Sequence, residues 1–179
     1  MSLTFNPEKI LPQYIEKLQQ IKCMLFDVDG ILTDGRVYFS GDEMGWNRFF
    51  NVYDGHGLKL LKRNNIHVGI ISGGDSRGLD ERFVQNLKLD PEFCYFGNED
   101  KIPAYEQIKE KLNLSDSEIS YMGDEEFDVP LLKRVGFSAT VPDASFYIQD
   151  SCDYVTKKSS GHGAAREVID LLLIAKGLI

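Results

Sequence analysis

The sequence has little of what would place it in a membrane, in an oxidising compartment or on nucleic acid. No apolar run approaches the roughly 20 residues needed to cross a bilayer. Cysteine is scarce: Cys23, Cys94 and Cys152 are far apart, odd in number and without a CxxC pair. A disulfide framework and a cysteine-built zinc site are therefore not expected, and three small apolar residues in a reducing cytosol are. Residues Met1 to Lys9 hold no basic run leading into an apolar core, so the expectation is no signal peptide and a cytoplasmic location. Positive charge is in short supply, with 20 Lys and Arg against 28 Asp and Glu and a net charge of -8. Neither nucleic acid nor an anionic membrane is the expected partner. An anionic small molecule would need a metal ion or locally gathered cations.

What is present is an alternation. Apolar runs at Cys23–Phe26, His67–Ile71, Phe93–Phe96, Ile119–Met122, Phe137–Val141 and Asp153–Val155 read as buried parallel strands. Helical periodicity fills the gaps: Gly57–Arg63, Arg77–Leu87, Ile102–Leu112 with Pro103 near its start, Phe127–Val135 and Ala164–Ala175. An amphipathic helix, Pro7–Gln20, precedes them and is expected to pack on the sheet or on a partner. The 179 residues fit one domain, a doubly wound α/β parallel sheet with right-handed crossovers. One insertion breaks the rhythm: residues Gly35–Asn51 alternate Val37 and Phe39, then Trp46 and Phe49, around a turn. That pattern predicts a β-hairpin overhanging the carboxyl end of the sheet.

In such sheets ligands bind beyond the carboxyl ends of the strands. The first strand runs into Asp27-Val28-Asp29-Gly30, two carboxylates facing one side of an extended segment. Burying them calls for a cation or a shared proton. A plain Asp/Gly turn would look similar. The second strand ends at Ser72-Gly73-Gly74, where backbone N–H groups can approach an anion. Lys101 opens a helix, electrostatically misplaced unless it meets an anion, although a solvated lysine is the ordinary reading. The fourth strand ends at Gly123-Asp124-Glu125-Glu126-Phe127-Asp128, an acidic group suited to a hard cation such as Mg²⁺, or to a helix start.

Taken together, in this order and each at a strand end, these segments resemble the four motifs of the haloacid dehalogenase superfamily. The resemblance implies a Mg²⁺-dependent phosphatase. Asp27 would be the nucleophile that becomes an aspartyl phosphate, and Asp29 the acid and base. The metal would be held by Asp27, the Asp29 carbonyl and Asp124. Ser72, Gly73 and Lys101 would bind phosphate, with Glu125 and Asp128 supporting them.

From Ile21 to the C-terminus the chain further resembles the 3-deoxy-D-manno-octulosonate 8-phosphate (KDO 8-phosphate) phosphatases. Phe26–Gly35, Phe50–Lys59 and the tail around Asp153–Thr156 and Gly161–Val168 carry that likeness. It implies a capless enzyme with a β-hairpin in place of a cap domain, assembling as a homotetramer on a sugar phosphate. Asn51, Asp54, Gly55, Lys59 and Arg82 would then be substrate-binding residues. Departures stand at Tyr53, Gly74 and His162, where that family usually has arginine, and at Lys59, where arginine is common. The same machinery would serve a nine-carbon keto-acid 9-phosphate, and a catalytically silent interaction domain is the reading from another class.

Overall fold

The computed structural model describes residues 7–43 and 45–179. Helix α1 (Pro7–Gln20) leads into β1 (Cys23–Phe26), followed by β2 (Val37–Phe39), β3 (Trp46–Arg48), α2 (Val52–Arg63) and β4 (His67–Ile71). Then come α3 (Arg77–Asp80), continued by a π-helical turn over Glu81–Asn86, β5 (Cys94–Tyr95), α4 (Ile102–Leu112) and β6 (Ile119–Met122). The chain closes with α5 (Val129–Leu132), β7 (Phe137–Thr140), α6 (Phe146–Gln149), β8 (Tyr154–Val155) and α7 (Ala164–Ala175).

Six strands pair in the order β5-β4-β1-β6-β7-β8, all parallel. The four residues of β1 are all buried, as a central strand covered on both faces requires. Phe26 lies opposite both Ile70 and Met122, so β1 ends level with β6 and within one residue of the end of β4. The chain steps outward from β1 to β4 and β5, then returns to lay β6 on the other flank of β1. That reversal opens a crevice at the carboxyl ends of β1 and β6. Helices α2 and α7 pack together and α7 on α1, while α4 touches β4, and α5 touches β6 and β7.

Local chemistry sets the ends. Asn51 caps α2 by accepting the Tyr53 N–H, which starts the helix five residues earlier than its glycines at 55 and 57 suggest. The strand expected over Phe93–Phe96 shrinks to Cys94–Tyr95, because Pro91–Phe93 forms a 3₁₀ turn capped by Asp90. The helix expected over Phe127–Val135 is a 3₁₀ turn plus the short α5. Helix α6 was not foreseen. Helix α1 packs on its own sheet, with Leu18 fully buried and the Tyr14 ring edge-on to Phe137 and Tyr154. No helix among the described residues is long and apolar enough to cross a membrane.

The hairpin pairs Val37 with Arg48 and Phe39 with Trp46 in antiparallel register. Its burial is inverted: Val37, Tyr38, Phe39, Trp46 and the following Phe49 are exposed, while Arg48 is buried.

Candidate active site

Asp27 follows β1 directly, and its N–H donates to the Met122 carbonyl at the end of β6, 2.9 Å away. The carboxyl ends of the two switch-point strands are thereby tied together, and the Asp27 side chain is 3% exposed. Lys101, from the turn before α4, is buried to 1% exposure. Its ammonium lies 2.7 Å from Asp27 Oδ1 and 2.6 Å from Asp128 Oδ1, donates to the Tyr121 hydroxyl at 3.1 Å, and sits 4.8 Å from the centre of the Phe127 ring. This is no solvated lysine. Burial works against its charge, but Asp27 and Asp128 outweigh it and raise its pKa.

Asp128 spends both oxygens on the scaffold. Oδ1 accepts from Lys101 and the Tyr121 hydroxyl, and Oδ2 from the backbone N–H groups of Asp124 and Glu125 at 3.0 and 3.1 Å. It holds the turn after β6 in place. Glu125 contributes its N–H to this turn, and its exposed side chain lines the cleft.

Carboxylate oxygens of Asp27, Asp124 and Asp128 lie within 4.8 Å of one another. Burial, opposed by Lys101 and reinforced by Asp128, pushes Asp27 up to about 7. Burial together with Asp27 and Asp128 pushes Asp124 up to about 8. Asp124 Oδ1 is buried with no hydrogen-bond partner. An orphaned acceptor beside a second buried carboxylate is a hard-oxygen donor set, which fits Mg²⁺. Gly30 makes room for it: at φ +86°, a Cβ on Gly30 would fall 2.0 Å from Asp124 Oδ2.

Asp27 and Asp124 line an open cleft of about 420 Å³ together with Asp29, Ser72, Gly73 and Gly74, while the fully buried Lys101 and Asp128 are not part of its lining. Ser72 is buried and its hydroxyl accepts the Gly74 N–H at 3.1 Å, shaping the glycine turn after β4. Asp29 is held by a residue the sequence did not single out. The Arg48 guanidinium reaches down from the hairpin and forms a two-pronged ion pair, Nε to Oδ1 at 2.6 Å and Nη2 to Oδ2 at 2.7 Å. Gly74, where the resemblance leads one to expect arginine, has its Cβ direction filled by this pair: Arg48 Nη2 would be 2.4 Å away.

The residues expected to bind substrate lie elsewhere. Asn51 caps α2 and donates to the Gly161 carbonyl, and buried Asp54 accepts the Arg166 N–H at 2.7 Å. Both fasten α2 to the turn before α7. Gly55 gives passage to Arg82, whose Nη2 would meet a Cβ there at 2.5 Å. Arg82 stacks over Phe50, and it lines a separate hollow of about 280 Å³ with His56 and Lys59. None of these five lines the cleft at Asp27.

A parallel sheet whose switch point presents a buried Asp-Lys-Asp arrangement and a spare acidic oxygen defines a haloacid dehalogenase-like hydrolase, and the family of that description matches residues 95–168. The chain is 36% identical over 170 residues to the 3-deoxy-D-manno-octulosonate 8-phosphate phosphatase KdsC of Salmonella typhimurium, covering 94% of this chain and 87% of the relative. The Yersinia pestis phosphatase of the same name superposes with a TM-score of 0.87 at 34% identity, over 93% of this chain and 88% of the other. The Moraxella catarrhalis phosphatase, solved with magnesium, phosphate and KDO, gives 0.86 at 34% identity over 93% and 94%. The chain belongs to the KDO 8-phosphate phosphatase family. As a member of that family it is a phosphoric monoester hydrolase, and its acidic oxygens fit the magnesium with which the Moraxella catarrhalis relative was solved.

Proposed function

We propose that this chain hydrolyses KDO 8-phosphate to KDO and inorganic phosphate, with the phosphoryl group carried in between on Asp27. The observation that carries the reading is the pairing of buried Asp27 with Lys101 beside the unpartnered oxygen of Asp124, in a fold shared with a relative solved with magnesium, phosphate and KDO. An Asp27 oxygen attacks phosphorus in line as the ester P–O bond breaks, and Asp29 gives a proton to the departing alkoxide. Asp29 then takes a proton from water, which attacks phosphorus, breaks the P–O bond to Asp27 and restores the carboxylate. Lys101, Ser72 and the backbone at Gly73 bind the phosphoryl oxygens.

Asp27, the Asp29 carbonyl and Asp124 would hold Mg²⁺, with Asp128 and Glu125 supporting them. Bound there, the ion neutralises charge on the phosphoryl group and keeps Asp27 ionised. Phosphoryl transfer asks mostly for such positioning and charge neutralisation, which Lys101 and the ion would supply here in an otherwise acidic chain.

The assembly we favour is a homotetramer in which neighbours roof each site. Trp46, Phe49 and Phe39 are 57, 67 and 55% exposed on one small hairpin, an apolar patch of the kind that marks interfaces. Asn51, Asp54, Gly55, Lys59 and Arg82, being absent from the lining of their own cleft, would serve substrate only across such a contact. A cytoplasmic location accords with three free cysteines, each with its thiol pushed up by burial.

A panel of sugar phosphates, ranked by kcat/KM, tests the substrate. KDO 8-phosphate is expected first, and a nine-carbon keto-acid 9-phosphate ranking well above it would overturn the assignment. Light scattering tests the assembly: the expected mass is about four times the 20.3 kDa chain. A monomer with undiminished kcat/KM would refute shared sites.

A further inference from the structure

The hairpin strands expose their aromatics and bury a cation. Arg48 has a side chain 6% exposed, and its only carboxylate partner among the described residues is Asp29. A guanidinium taken out of water is stable only with its charge and donors matched. Asp29 matches two prongs, and the Ser76 hydroxyl, 3.1 Å from Nη1, takes a third. The Thr33 hydroxyl is shared between Asp29 Oδ1 and the Val28 carbonyl, each 3.3 Å away.

The Asp29 side chain is itself 32% exposed, at the mouth of the cleft. Without the fork it would be free to choose among rotamers, at a place where one is useful. The clamp also dictates its neighbour. A side chain at Gly74 would fall 2.4 Å from Arg48 Nη2 and 2.9 Å from Asp29 Oδ2, so bare backbone stands there. Hairpin, first strand end and second strand end meet in this one contact.

We propose that Arg48 is the positioning residue for Asp29, and that the hairpin's chemical task within its own chain is to hold that carboxylate over the reacting phosphate ester. This rests on the reading of Asp29 as the group that protonates the leaving alcohol. The fork is what the task requires: two parallel N–H···O bonds fix the plane and the direction of the carboxylate, whereas a lysine would fix only its charge.

The test separates positioning from stability by the leaving group. KDO departs from its phosphate as an alkoxide that needs a proton, while p-nitrophenol departs from p-nitrophenyl phosphate as a stable phenolate that does not. Arg48→Met should lower kcat on KDO 8-phosphate by roughly 10²-fold, the scale of an ångström-level misplacement. It should leave the pre-steady-state burst of p-nitrophenolate, which precedes the attack of water, within about threefold of wild type, since proton donation contributes little to that step. Arg48→Lys should still lose about tenfold in kcat on the sugar phosphate with KM little changed, because it keeps charge but not the fork. In an Asp29→Asn background, adding Arg48→Met should cost less than about a further twofold, the non-additivity of residues acting as one unit.

An equal loss in the p-nitrophenolate burst and in kcat on KDO 8-phosphate, additive losses in the double variant, or wild-type kcat for Arg48→Lys on the sugar phosphate would each overturn the proposal. Should Arg48→Met not fold, the lysine variant and its substrate ratio decide alone. Asp29→Asn on its own tells the two failures apart. If it turns over KDO 8-phosphate like wild type, the reading of Asp29 is wrong and the clamp's role goes with it. If it is crippled while the Arg48 variants are not, only the clamp is wrong.

Discussion

Replacing Lys101 with methionine takes away the one positive charge between two buried carboxylates while keeping the side chain's length. Lys101 is 1% exposed and within 2.7 Å of both Asp27 and Asp128. Removing one member of a buried ion pair costs about 3–5 kcal/mol, because its partners stay buried and uncompensated. Here two partners are left, with Asp124 adding a third negative group nearby, so the upper part of that range is expected. For a chain of this size, roughly 2–4 °C per kcal/mol gives a fall in Tm of about 6–20 °C in metal-free buffer.

The same substitution lets Asp27 rise further, since Lys101 now holds it down against burial. At neutral pH more of the nucleophile is then protonated, and turnover should fall by at least about 10²-fold. Added Mg²⁺ should return part of the lost Tm, because a cation at Asp27 and Asp124 relieves the same repulsion. Circular dichroism melts with chelator and with Mg²⁺, alongside phosphate release, read all three effects. A metal-free Tm within about 2 °C of wild type would refute the picture of Lys101 as the keystone of a buried charge cluster.

Gly30→Ala places a methyl where Asp124 Oδ2 stands and forces alanine to φ +86°. It should cost about 1–3 kcal/mol and raise the Mg²⁺ concentration for half-maximal rate roughly 10–100-fold, the scale for disturbing a ligand's support; an unchanged Mg²⁺ requirement counts against Asp124 as a ligand. Asp27 and Asp124, at about 7 and about 8, keep protons in the metal-free fold that the unfolded chain sheds near ordinary carboxylate values. Metal-free stability should therefore fall as pH rises through about 4 to 8 and level off above. The gain in Tm from Mg²⁺ should be larger at about pH 9 than at about pH 6, and the opposite order contradicts the assignment of these two carboxylates.

The sheet was legible because buried parallel strands are continuous apolar runs, and β1, β4 and β6 match their runs end to end. Asp27, Asp29, Ser72, Gly73 and Asp124 were legible because a strand's carboxyl end is a fixed place in such a sheet, and all five line one cleft. Lys101 shows the limit of reading one residue at a time: its sequence neighbourhood is that of a surface lysine, and its partners are 74 and 27 positions away. Arg48 escaped because an arginine in a short hairpin strand reads as solvated. Only the three-dimensional return of the hairpin over Asp29 shows otherwise. The resemblance groups Asn51, Asp54 and Gly55 with substrate recognition, yet their contacts are a helix cap, an inter-helix fastening and a close packing point. Side chains with such structural occupations leave no separate mark in sequence.

The central claim is that the phosphoryl group passes through Asp27, and trapping it there is the most direct test. Wild-type protein mixed with excess KDO 8-phosphate and Mg²⁺, quenched in acid within one turnover and digested, should yield the peptide containing Asp27 with the mass of one added phosphoryl group. Asp27→Asn, folded and melting like wild type, should yield neither the modified peptide nor phosphate. Rapid phosphate release with Asp27 unmodified at every quench time, or wild-type turnover by Asp27→Asn, would contradict the account.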